Sequence, residues 1–136
     1  MRLLLDPDRG GRLVEFSDPV VGRNLLGTQG GVERVFAPGT QVAAFARAKA
    51  KDPSDFQTGR YQTRLTKGKG ALQARLNRQG WIRLNGVRRP VQVDKEVALS
   101  PRGKKVLFTH RLHNGSKNRL SFLFGYELVL NLRMRT

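Results

Sequence analysis

Groups able to do chemistry are sparse in this chain of 136 residues, which carries ten carboxylates, two histidines and no cysteine. Cleaving a glycosidic bond takes two carboxylates at a set spacing, yet only Asp94, Glu96 and Glu127 fall in the second half, and no such pair can be assigned. Asp6, Asp8, Asp52 and Asp55 sit beside prolines, where a carboxylate normally accepts backbone N–H groups in a turn. His110 and His113 stand three apart on an expected strand and so point to opposite faces, which rules out a shared metal on a straight strand. Without cysteine there is no disulfide, thiolate zinc site or cysteine nucleophile. Gly68-Lys69-Gly70 and Gly103-Lys104-Lys105 lack the spacing and the Ser or Thr of a phosphate-binding loop. Asn114-Gly115-Ser116 has the form of a glycosylation sequon and reads as a turn. No catalytic residue, metal or cofactor is expected.

Lys95 is the more informative group. It shares parity with Val91, Val93, Val97 and Leu99, the side of an extended segment that should be buried, and a buried ammonium needs compensation. Three readings stand. Its stem lies along a sheet rim with the head in water, or it forms a structural ion pair with Glu127, the only acid among the last forty residues, or it contacts a ligand. Trp81, Tyr61 and Tyr126 offer rings that stack on sugars or bases, although rings in alternating strands usually serve the core. Trp81, Tyr126 and Lys95 are therefore the carbohydrate-binding candidates, weighed against core roles.

Positioning these groups falls to short extended segments, which dominate from Gly59 onward. Leu72, Ala74 and Leu76 alternate with polar residues, and a separate strand at residues 81–84 is expected after a Gln79-Gly80 turn. Asn85-Gly86, between Leu84 and Val87, predicts a type I′ hairpin, and Asn114-Gly115 predicts another. Eight same-parity apolar or aromatic residues from Leu120 to Met134 predict one long strand through the core, bent at Gly125. Upstream, residues 2–5 and 12–16 suggest a starting hairpin, residues 41–51 one short helix, and residues 22–57 a long excursion. One domain spanning residues 1–136 is expected: an all-β, mostly antiparallel β-sandwich.

The net charge is +16, unevenly spread: residues 1–58 hold eight Lys and Arg against seven acids, whereas residues 59–136 hold eighteen against three. Such an excess attracts polyanions, so nonspecific nucleic acid is an expected partner class, although no nucleic-acid-binding motif accompanies it. A solvated basic face is the plainer account. No apolar run is long enough to span a bilayer and the first ten residues turn at Asp6-Pro7, so neither membrane insertion nor a signal peptide is expected, and a cytoplasmic location follows as a prior.

Four segments occur in a telling order: Leu76-Asn77-Arg78-Gln79-Gly80-Trp81, Pro90-Val91-Gln92-Val93-Asp94-Lys95, Leu112-His113-Asn114-Gly115-Ser116 and Phe124-Gly125-Tyr126-Glu127-Leu128. Together, over about residues 59–135, they resemble the C-terminal β-sandwich domain of glycoside hydrolase family 57, the α-amylase and 4-α-glucanotransferase group. Gly10-Gly11-Arg12-Leu13-Val14-Glu15-Phe16 and Asn24-Leu25-Leu26 look like that domain's opening strands. The resemblance implies a truncated galactose-mutarotase-like supersandwich and a non-catalytic module that packs on a catalytic unit or contacts α-glucan. The family's nucleophile and acid lie in a catalytic barrel with no counterpart here, so no catalytic residue carries over, and a separate catalytic chain is the implied partner. Where the family has an Arg-Arg-Glu-type stretch, this chain has Gly31-Val32-Glu33-Arg34. The alternatives are a basic nucleic-acid-binding β protein or a shortened derivative of the domain without function.

Overall fold

The structure, a computed structural model, describes residues 1–27, 30–46, 51–68, 70–100, 102 and 105–131. Nine strands and one short helix are defined among them: β1 (Arg2–Asp6), β2 (Arg12–Asp18), β3 (Arg23–Asn24), β4 (Val32–Phe36), α1 (Val42–Ala46), β5 (Gln62–Lys67), β6 (Leu72–Leu84), β7 (Val87–Leu99), β8 (Val106–Asn114) and β9 (Leu123–Glu127). All pairings are antiparallel. One layer is the four-stranded sheet β5-β6-β7-β8. The other combines β1-β2-β3 with the pair β4-β9, linked by single bridges at Leu13–Gly31 and Leu26–Leu130.

The centre of the large sheet is the β6–β7 hairpin, two strands of 13 residues paired without interruption from Leu72–Leu99 to Leu84–Val87. Its turn is the predicted one: Asn85 and Gly86 both take positive φ, 50° and 76°, which suits a two-residue loop between right-twisted strands. The expected turn at Gln79-Gly80 does not form. Gly80 continues β6 opposite Val91, because a Cβ there would meet Asp55 and press against the Phe56 ring.

Alternation in β6 and β7 carries the core. Ala74, Leu76 and Ile82 from β6 and Val91 and Val93 from β7 are buried with Val35 of β4, Phe56 and Tyr61. Each fully buried aliphatic or aromatic side chain of this kind contributes roughly 1.5–3 kcal/mol. Residues 22–57, expected to be an excursion, supply two strands and a fully buried ring: β3, β4 and Phe56.

The C-terminal part departs most from expectation. After β8 the chain leaves the large sheet instead of turning back at Asn114-Gly115: neither residue takes positive φ, Asn114 accepts from the N–H and hydroxyl of Ser116, and the Gly115 N–H donates to the Pro90 carbonyl at 3.0 Å. The chain then crosses to the opposite layer, where β9 pairs with β4, Glu33 opposite Tyr126 and Arg34 opposite Gly125. In place of one long core strand there are five paired residues, with Gly125 unbent inside them. Leu123, Phe124, Leu128, Val129 and Leu130 are exposed. Leu132 and Met134 of the predicted strand, and residues 47–50 of the predicted helix, lie outside the described residues.

Candidate functional site

Lys95 points inward, as its parity requires. It stands opposite Leu76 on one side and His110 on the other, so β6, β7 and β8 present a row of Leu76, Lys95 and His110 to the facing layer. From that layer β4 delivers Glu33. The Lys95 Nζ donates to Glu33 Oε2 at 2.5 Å and also to the Gly10 carbonyl, while His110 Nε2 meets the other carboxylate oxygen at 2.8 Å. The Gly10 carbonyl reaches this depth because Gly10 and Gly11 both take left-handed conformations, φ 71° and 58°, and a Cβ on Gly11 would collide with Leu76.

Two rings close the cluster. The ammonium lies 4.1 Å from the centroid of Tyr61, which is buried and donates its hydroxyl to the Phe56 carbonyl at 3.3 Å. Tyr126, opposite Glu33 on β9, packs its ring on His110 and Phe108 with centroid distances of 5.0 and 5.5 Å. Burial pushes both phenol groups up, and the Glu33 charge pushes them further. Burial also acts on Glu33, but the His110 hydrogen bond together with the charge and hydrogen bond of Lys95 outweighs it and holds the carboxyl below its ordinary range. Burial lowers Lys95 from its usual value, and Glu33 offsets part of that.

The expected ion pair between Lys95 and Glu127 does not form. Glu127 is paired with Arg34, whose Nε donates to it at 2.9 Å on the outer side of the β4–β9 pair. Parity separates the two acids, since Tyr126 faces the Lys95 cluster and its neighbour Glu127 therefore faces away. Glu33 is the residue that sequence reasoning missed. Its neighbours Val32 and Val35 are buried too, so this short strand carries no clean alternation to mark it.

Trp81 lies elsewhere. It pairs with Pro90, five positions along β7 from Lys95 and about 17 Å away at strand rise, on the other face of the sheet. Its half-buried ring is covered by the Arg88 guanidinium, 4.2 Å from the centroid, with Arg83 at 5.9 Å. The three carbohydrate candidates thus fall into two places: Lys95 and Tyr126 around Glu33, and Trp81 among arginines.

Chemically, the Glu33 cluster is closed. Glu33 and Lys95 are only 2% and 4% exposed, and both carboxylate oxygens are engaged. The other nine side-chain carboxylates are engaged as well: Asp8 with Arg60, Glu15 with Arg2, Asp55 with Arg78 and the Trp81 N–H, Glu96 with Arg75, Glu127 with Arg34, and Asp6, Asp18, Asp52 and Asp94 with N–H groups. Among the described residues no group of three or more metal-ligating side chains occurs, and no helix is long and apolar enough to cross a membrane.

Comparison with known proteins agrees with this architecture. The family model for the C-terminal domain of alpha-amylase/4-alpha-glucanotransferase matches residues 29–136, beginning upstream of the four segments that carried the resemblance and taking in β4 with Glu33. The crystal structure of 4-alpha-glucanotransferase from Thermococcus litoralis superposes with a TM-score of 0.73 over 91% of this chain at 16% identity, a likeness of fold. This chain spans 22% of that one. No curated protein matches it.

Proposed function

Because the chain belongs to the family of alpha-amylase/4-alpha-glucanotransferase C-terminal domains, we propose that it is a non-catalytic β-sandwich module of an enzyme acting on α-glucan, and that it packs on the catalytic unit. The observation that carries this reading is the state of its acids. Every side-chain carboxylate is held by a partner within the chain, and the one buried most deeply, Glu33, is sealed between two layers. Retaining or inverting glycoside chemistry needs two carboxyl groups facing the same scissile bond, one of them free to give a proton. Nothing of the kind is offered to a substrate here.

An apolar surface for packing is present at the open edge between β1 and β5. Leu65 and Leu72 stand exposed beside Leu3, Leu5 and Leu99 around a cleft of about 450 Å³. The test incubates the pure chain with maltooligosaccharides and amylose, following reducing ends and chain-length redistribution, then repeats the assay with a catalytic unit from the native host. No turnover by the chain alone, and binding to the catalytic unit that is lost in Leu65→Asp, are the expected results. Turnover by the chain alone overturns the reading.

A further inference from the structure

Two cations on β7 face inward. Lys95 has Glu33, whereas Arg89, on the same parity and paired with buried Ile82, has no hydrogen-bond or ion-pair partner among the described residues. All ten side-chain carboxylates of the chain lie within those residues and each is engaged elsewhere. Half-buried Arg89 instead lines a cleft of about 550 Å³ at the end of the sandwich, between the β6–β7 turn and the crossover that follows β8. Arg83 and Arg119 line it too, with Asn85, Asn118 and Ser121 and no acid. Beside it Arg83 and Arg88 are direct cross-strand neighbours, a like-charge pairing that costs stability and is relieved in part by the Trp81 ring.

We propose that this cleft binds a phosphate-bearing ligand of compact size, its phosphoryl oxygens taken by the forked guanidinium groups of Arg89 and Arg119, with Arg83 adding positive charge at the rim. Three reasons favour phosphate. Guanidinium donors match its oxygens two at a time. A phosphate monoester carries roughly −1.5 to −2 charges near neutral pH, closer to what two converging cations call for than a single carboxylate. The volume falls in the range of about 300–1,000 Å³ typical of small-ligand sites, which favours a compact ester over a polymer lying along a surface.

Calorimetric titration with inorganic pyrophosphate at about 0.15 M salt, where weak surface attraction is largely screened, tests this directly. Saturable one-site binding is expected, weakened about tenfold or more in Arg89→Gln/Arg119→Gln, as loss of charged hydrogen bonds implies. Arg119→Gln alone, at an exposed position, provides the same readout without touching the half-buried residue. Arg64→Gln/Arg111→Gln removes equal charge from exposed strand positions outside the cleft and is expected to leave binding unchanged. Equal weakening by both double variants, or no saturable binding, overturns the proposal. A dodecathymidylate that binds more tightly than pyrophosphate, and loses affinity only in the cleft variant, overturns the compact ligand in favour of single-stranded nucleic acid.

Discussion

Lys95 and Arg89 occupy the same face of one strand, six residues apart, and the fold treats them in opposite ways. At the middle of the sheet, where the two layers close over it, the cation receives a carboxylate, a backbone carbonyl and an aromatic face. At the end of the sandwich the cation opens into a cleft lined by two more arginines and receives no hydrogen-bond or ion-pair partner among the described residues. The difference follows from desolvation. A charge removed from water must be compensated from within the chain, whereas a charge at a hydrated rim can wait for a ligand. The same strand therefore holds a structural charge and an available one.

Breaking the closed, central site gives the largest effect. Glu33→Gln leaves the Lys95 ammonium buried beside a neutral amide and is expected to cost about 3–5 kcal/mol, read from the midpoint of urea unfolding at constant slope.

Acid attacks the same site without mutation. Glu33 titrates below its ordinary 4.5 in the folded chain, so its stabilising contribution is complete above that value and is lost as pH falls through the lower folded-state range. Unfolding midpoints should fall steeply below about pH 4.5 and do so less in a Lys95→Met/Glu33→Leu variant.

At the open end the expected effects shrink. Asn85→Ala places a Cβ residue without local hydrogen bonding at φ 50° and should cost about 1 kcal/mol of thermal stability while leaving the strand register intact. Arg89→Gln should change stability by no more than about 0.5 kcal/mol, because no partner among the described residues is lost with it. A loss as large as that of Glu33→Gln would erase the contrast between the two cations.

Part of this contrast is legible in the amino-acid sequence. Alternation along residues 91–99 puts Lys95 inside, and Asn85-Gly86 fixes the register that sets Leu76 against Lys95. Both are local signals, one of side-chain period and one of turn chemistry. The partner of Lys95 is not legible there, because pairing of β4 with β9 joins segments about ninety residues apart and nothing local specifies it. Glycines around β4 lend that segment the look of an excursion, and the apolar residues near the C-terminus have the look of a core strand. In the fold the first segment holds Glu33 and Val35 inside, while much of the second is exposed. Gly80 misleads for a related reason: its missing side chain makes room for Phe56 and Asp55, which arrive from a distant loop.

Lys95 and Glu33 form one structural unit, and a double-mutant cycle measures their coupling directly. Lys95→Met, Glu33→Leu and the double variant are unfolded in urea, alongside a parallel cycle built on Lys95 and Glu127. The expected outcome is a large penalty for each single change at Lys95 and Glu33, a double variant close to the parent in stability, and additive behaviour with Glu127. Additive losses for Lys95 and Glu33 would contradict the pairing.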